Sequence, residues 1–318
     1  MIFPKEEYLS RLSKVKKTMD QKNMDVIILT DPSNMHYLTG YDGWSFYVPQ
    51  GIIVALELNE PIWFGRRQDS KGAKVTTYLQ DKNIIYYPED LIQSPPTHPY
   101  DFVSSFIHEN NWANKNIGVE MDAYYYTAEN HYRLTSTLPN VNFSDATLLV
   151  NWIRLIKSEN EINYMKEGAK LVEAGMKTAY ENIKPGVKQS YVAGKIQNSL
   201  IGGNEEINTG GEYAGLTTIL ASGVSASASH LTPKDNLFND NEGTIIELAG
   251  VKHRYHCPLS RTVYCGNPDS KTSDTMKITN EGVEKAISVV KPGNTANDVA
   301  VAFWSVLEKY GIEKDSRL

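Results

Sequence analysis

A block of helix-forming sequence occurs twice in this chain, and that repeat limits the possible folds more than any other feature. Gly175, Ala179, Lys184-Pro185-Gly186, Val192-Ala193 and Leu200 recur 107 residues later as Gly282, Ala286, Lys291-Pro292-Gly293, Val299-Ala300 and Leu307. Each copy reads as a helix, a Lys-Pro-Gly stop and a second helix, because Pro and Gly punctuate helix ends. After the first copy come strand-like segments between Thr217 and Cys265. The second copy reaches Leu318, where equivalent strands are expected, so the chain reads as cut inside a duplicated domain.

Ahead of the repeat, residues 1–150 alternate in texture. Tyr8, Leu9, Leu12, Val15 and Met19 recur at helical spacing over residues 5–22. The run from Asp25 to Leu29 reads as a buried strand. It is followed by a turn at Asp31-Pro-Ser and a glycine-rich aromatic loop from Tyr37 to Phe46. Strands are expected at 52–56, 61–64, 84–87 and 116–119, with a helix over 100–110. These elements make an α/β or α+β module of short pieces. Near residue 150 a long helix opens with a capping box, Ser158-x-x-Glu161, and carries Ile162, Met165, Ala169, Val172, Met176, Ala179 and Ile183 on one face. We therefore expect two domains, 1–150 and 151–318.

Composition narrows the function. The 318 residues are enough for a core in each domain, and a net charge of -6 disfavours nucleic-acid or anionic-membrane partners. No apolar run approaches the roughly 18 residues of a membrane-spanning helix. Cys257 and Cys265 lie in one apparent strand, so they read as free thiols of a reducing cytoplasm rather than a disulfide.

Two polar residues stand out in the strand region of the first copy. Glu247 interrupts the apolar run Gly243-Thr-Ile-Ile-Glu-Leu-Ala-Gly250. Such a carboxylate is either solvent-facing or buried with a partner, because an unpaired buried charge is costly. The small-residue loop Ser222–Pro233 delivers His230, either a general acid–base or an ordinary surface histidine.

Taken together, several segments resemble the creatinase/prolidase superfamily. They are Asn34-Met-His-Tyr-Leu-Thr-Gly40, Arg154-x-x-Lys157-Ser158-x-x-Glu161-Ile162-x-x-Met165, the loop ending at His230, and Tyr255-His256 followed by Ser260-Arg261-Thr262. The resemblance covers essentially the whole chain. It implies an α/β creatinase-like N-terminal domain and an α+β "pita-bread" catalytic domain, here truncated in its second pseudo-symmetric half. Metal-dependent members bind two ions through two Asp, one His and two Glu, and the two Asp lie eleven residues apart on paired strands. Here those two positions read Glu247 and Pro258. Proline offers no donor atom, and divalent ions need several oxygen or nitrogen ligands. Creatinase is metal-free, with Glu at the first Asp position and a catalytic His in the preceding loop, and Glu247 and His230 occupy the matching places. The superfamily's remaining His and two Glu positions fall beyond Leu318.

Within the metal-free branch the chain is similar to the ectoine hydrolases. The segments are Leu38–Val48, Gly118-Val-Glu-Met-Asp122, Ile246–Val251, Arg254-Tyr-His-Cys-Pro-Leu-Ser-Arg-Thr262 and Glu313-Lys-Asp-Ser-Arg317. This implies a cytoplasmic homodimer that opens a small zwitterionic cyclic amidine without metal or cofactor. Glu247 would pair with the amidinium and His230 would serve as general base. Trp44 and Phe46, in the glycine-flexed loop, would help close the neighbouring subunit's pocket over a planar cation, or else pack in the core or dimer interface. Tyr255 either bonds substrate or anchors its strand. Two other functions keep a place: a metal-dependent Xaa-Pro peptidase, opposed by Pro258, and a non-catalytic binding module.

Overall fold

A computed structural model describes residues 1–203, 207–213, 215, 217–228 and 230–313. The chain forms two compact units, Met1–Ile162 and Asn163–Leu318. Among the described residues no helix is long and apolar enough to cross a membrane.

In the first unit the elements run α1 (Lys5–Gln21), β1 (Val26–Leu29), α2 (Pro32–Thr39), β2 (Gly51–Ala55), β3 (Ile62–Arg66), α3 (Ser70–Thr76), β4 (Ile84–Tyr87), α4 (Pro99–Glu109), β5 (Asn116–Val119), α5 (Ala128–Thr137), β6 (Asn142–Asp145) and α6 (Leu149–Arg154). The strands form one mixed sheet, ordered β4-β3-β2-β1-β5-β6. β1 and β2 are buried along their whole length, which is why they read as unbroken apolar runs rather than alternating ones.

The expected turn after Asp31 is instead the start of a helix. The Asp31 carboxylate accepts from the backbone N–H groups of Ser33 and Asn34, and Pro32 fits the first turn, where its missing N–H costs nothing. Gly40, at φ +80°, ends α2 in the left-handed conformation, and its N–H returns to the His36 carbonyl. The capping signals at both ends turn a segment read as turn and loop into a helix.

The capping box at Ser158 forms as expected: Ser158 N–H donates to Glu161, and Glu161 N–H donates to the Ser158 hydroxyl. It docks on α1 through Arg11. This guanidinium is buried, donates to Glu7 at 2.7 Å and to the Tyr37 carbonyl at 3.1 Å, and lies 3.5 Å from the buried Glu161. The rings of Phe3 and Tyr37 flank it at 4.0 and 4.5 Å. That docking explains why the first unit extends to Ile162, within the first turn of the long helix α7 (Glu159–Asn182). An Arg11→Met variant would remove the guanidinium that lies 3.5 Å from the buried Glu161 carboxylate and bonds Glu7. It should lose about 3 kcal/mol of stability, read as a lowered urea midpoint. An unchanged midpoint would show that the pair contributes nothing net.

The second unit continues with α8 (Gln189–Gly202), β7 (Ile219–Ser222), β8 (Glu242–Lys252), β9 (Tyr255–Cys265), α9 (Ser270–Ser288) and α10 (Ala296–Lys309). Among the described residues its strands form an antiparallel sheet ordered β7-β8-β9. Alternation along β8 sends Ile246 and Leu248 into a core with Leu220 and with Val172, Met176, Ala179 and Ile183 of α7 and Val192, Ile196 and Leu200 of α8. Gly168 of α7 and Gly250 of β8 meet backbone to backbone, letting helix and strand approach without a side chain between them.

Both copies of the repeat form the expected helix pairs, but the copies are packed differently. Met176 and Ile183 are 4% and 7% exposed, whereas their counterparts Val283 and Val290 are 45% and 66% exposed. The first pair lies on a sheet; the second packs mainly on itself, around Gly282 and Leu307.

Candidate active site

The β8–β9 hairpin gives the sheet two unlike faces. Cross-strand partners share a face, and Glu247 pairs with Ile219 on one side and Ser260 on the other. One face carries Ile246 and Leu248 with Cys257 and Leu259 and is covered by α7 and α8. The other carries Ile219, Glu247, Ala249 and Val251 with His256, Pro258 and Ser260; its β9 residues are exposed.

Positions 247 and 258 thus lie diagonally adjacent on one face of paired strands, since Ala249 is the partner of Pro258 and Glu247 that of Ser260. A diagonal of this kind spans about 7–8 Å, close enough for two carboxylates to flank a metal pair. The second position is instead a pyrrolidine ring with no donor. β9 lies at the sheet edge among the described strands, where a residue lacking an N–H is tolerated. The residues at these two positions do not fit a dinuclear metal centre.

Glu247 is half-buried. Among the described residues its carboxylate makes no ion pair and no hydrogen bond, with Ile219 and Ala249 as apolar neighbours on its face. Ser260 stands opposite it, and His256 lies two residues beyond Pro258 on the same face. The His256 Nδ1 is 2.8 Å from the Arg254 carbonyl, and its ring meets Tyr213 at 6.0 Å. Ser260 and His256 belong to segments that carry the family resemblance, but no sequence signal placed them beside Glu247. Strand alternation counted outward from Glu247 would have found them once the hairpin register was known.

His230 follows the short 3-10 turn Gly223–Ser227; it is exposed and has φ +63°. No contact joins it to Glu247 among the described residues. Ser229, next to it, and residues 314–317 of the Glu313–Arg317 motif lie outside the described residues. Alternation puts Tyr255 on the α7-covered face, opposite to Glu247, and its ring packs on Tyr164 at 5.9 Å. Cys257 shares that face, and burial, with the nearby Glu173 charge, pushes its thiol up and away from thiolate chemistry.

Trp44 and Phe46 belong to the first unit. Trp44 is 62% exposed and meets the half-buried Phe46 edge-on at 6.3 Å, and Phe46 packs on Tyr125 at 5.0 Å. Their loop is tied down beneath: Tyr41 donates to Gln50 at 2.7 Å, and Ser45 donates to Asp69 at 2.6 Å.

Two of the family-like segments do structural work in that unit. The buried Glu120 accepts from the Thr30 and Asp31 N–H groups and from the Asn34 side-chain NH2, and Arg154 donates to the Asn34 side-chain Oδ1. Burial pushes the Glu120 carboxyl up despite these hydrogen bonds. Asn34-Met-His and Gly118-Val-Glu therefore knot β1, β5 and α6 together.

The likeness to known proteins covers both units. Residues 11–156 match the model of the creatinase/prolidase N-terminal domain, and residues 163–317 match that of metallopeptidase family M24. The chain is 42% identical over 316 residues to an ectoine hydrolase of Halomonas elongata, covering 98% of this chain and 79% of that protein. It is 34% identical to an uncharacterized hydrolase/peptidase of Sinorhizobium fredii, covering 99% of this chain and 80% of that protein. Among solved structures, a prolidase from Thermococcus sibiricus superposes with a TM-score of 0.80 at 19% identity, covering 96% of this chain and 78% of that one. The prolidase from Pyrococcus horikoshii gives 0.78 at 20% identity, with 95% and 78% covered.

Proposed function

The chain belongs to the creatinase/prolidase family, as a hydrolase acting on C–N bonds, and from that premise we propose that it opens the ring of ectoine, or of a closely related cyclic amidine, without a metal ion. The observation that carries this reading is Glu247: a half-buried carboxylate on a largely apolar strand face, with no cation paired to it among the described residues. Taking a carboxylate out of water without a partner is unfavourable, and an amidinium arriving from solution would supply that partner. Pro258 supports the metal-free half of the reading, because it gives no ligand where the metal-dependent members carry an aspartate. The 42% identity to an ectoine hydrolase supports the choice of substrate.

In this mechanism Glu247 holds the delocalised amidinium by charge-assisted hydrogen bonds. His230 takes a proton from the attacking water as it adds to the amidinium carbon. The tetrahedral adduct then breaks one ring C–N bond, and His230 returns the proton to the departing nitrogen, leaving an N-acetylated diaminobutyrate. The two side chains need not touch, because the substrate lies between them. The protonated amidine carbon is already electrophilic, so no Lewis acid is required. Trp44 and Phe46 would close over the substrate from a partner subunit. The reading includes a cytoplasmic homodimer, and free Cys257 and Cys265 are consistent with a reducing compartment.

Proton NMR of ectoine with chelator-treated protein tests the reaction. Ring opening is expected without added metal. Turnover only after manganese or zinc is restored would overturn the metal-free reading, and no turnover in either condition would overturn the substrate. His230→Ala should slow ring opening by about 10²–10⁴-fold; substantial retained turnover would remove the general-base role.

A further inference from the structure

The turn joining β8 to β9 is built from the wrong residues for its shape. Lys252 pairs with Tyr255, leaving the two-residue turn His253-Arg254 with φ of +48° and +65°. Two successive left-handed residues define the tight hairpin turn that Asn-Gly favours, because a side chain there crowds its own backbone. Neither residue here is Gly, Asn or Asp.

The compensation comes from 41 residues upstream. One Glu212 oxygen accepts the His253 backbone N–H at 2.7 Å, and the other lies 2.7 Å from the His253 Nδ1. Lys252 Nζ donates to the Gly210 carbonyl at 2.8 Å, and the Tyr164 ring meets His253 edge-on at 4.7 Å. Burial pushes the Glu212 carboxyl up, but the hydrogen bonds and charge of His253 outweigh it and hold the group below the usual carboxylate range.

The clamp also fixes what residues 207–213 and Gly215 do to the sheet. Gly211 N–H donates to the Ile201 carbonyl, and Gly215 N–H reaches the Ala249 carbonyl at 3.4 Å. A Cβ at Gly215 would stand 2.7 Å from the His256 ring and 3.2 Å from Ala249 Cβ, so the segment crosses the Glu247 face one step from Glu247 itself. Tyr213 meets His256 there.

We propose that Glu212 and His253 are positioning residues: their clamp seats residues 207–213 and Gly215 as the wall at the hairpin end of the Glu247 face, and that wall sets the affinity for substrate. The second half of this role rests on the amidine-hydrolase reading; the seating does not. Two variants separate the clamp from the turn. Glu212→Ala removes the acceptor. The double substitution His253→Asn with Arg254→Gly gives the turn its preferred residues while removing the imidazole, so the hairpin keeps its stability without the imidazole–carboxylate contact.

Hydrogen exchange of the amides of residues 207–213, of Gly215 and of His253 reads the seating in both proteins, and ectoine kinetics read its consequence. Both variants should exchange faster at residues 207–213 and Gly215 and show KM raised about tenfold with kcat little changed, the signature of lost binding contacts rather than lost chemistry. A double variant with parental exchange and parental KM would show that Glu212 serves only the turn, and the proposal would fall. Parental exchange in Glu212→Ala would overturn it equally. If the parent protein does not turn over ectoine, the substrate reading fails on its own, and exchange still decides the seating.

Discussion

Replacing Gly250 with alanine should cost the second unit about 3 kcal/mol, at the upper end of what one added methyl group does in a packed core. The new Cβ would run into the carbonyl oxygen of Gly168, and would stand 2.7 Å from the Val172 nitrogen and 2.9 Å from Leu171 Cβ. Two of these three obstacles are helix backbone, which cannot rotate away as a side-chain tip can. Relief requires α7 to move off β8, opening the contact that buries Val172, Met176, Ile246 and Leu248. Gly243→Ala is the matched control: it lies on the same strand, and its Cβ would meet only the Tyr264 ring, at 3.7 Å. Urea midpoints should therefore fall steeply for Gly250→Ala and barely move for Gly243→Ala. Equal losses would mean that the effect comes from strand conformation and not from the helix contact.

The contrast between these two glycines shows what could be read from the sequence. Both lie in the run Gly243–Gly250, and nothing local distinguishes them; the difference is made by Gly168, which is 82 residues away in sequence. Periodic features were legible: the apolar stripe of α7, the buried runs of β1 and β2, and the duplicated helix pair all appear where spacing put them. Features set by remote partners were not. The β8–β9 turn carries no turn signal in His253-Arg254, because Glu212 supplies from a distance what Asn-Gly would supply locally. Helix α2 was hidden for the opposite reason, since its cap at Asp31 and stop at Gly40 are local, and the same Asp-Pro-Ser and Gly signals also read as a turn and a loop.

The candidate site divides along the same line. Glu247 was legible as a charge out of place in an apolar strand, and Pro258 as a missing ligand. Which residues accompany Glu247 depends on register, and the register moves Tyr255 to the covered face while bringing Ser260 and His256 to the Glu247 face. Trp44 and Phe46 were legible as an unusual aromatic loop, but their fixation by Tyr41, Gln50 and Asp69 follows only from the fold.

Substituting Glu247 by glutamine should move activity and stability in opposite directions. Glutamine keeps the shape and one acceptor oxygen, and removes the charge that the proposed amidinium requires. Leaving a desolvated cation without its counter-ion costs about 3 kcal/mol or more, which corresponds to a loss of over about 100-fold in kcat/KM for ectoine. The free protein should be unharmed or slightly stabilised, because Glu247 has no ion pair or hydrogen bond to lose among the described residues and its charge is partly withdrawn from water. A carboxylate serving the fold would behave the other way, with the melting temperature falling alongside activity as a buried partner is left unpaired. Thermal melts and ring-opening rates on the same preparations decide between the two. A lower melting temperature would assign Glu247 to the structure, and full activity at an unchanged melting temperature would leave the amidinium without its proposed anchor. Only a stable, folded and nearly inactive Glu247→Gln protein fits a carboxylate held in an apolar face for the sake of a cation that comes from outside.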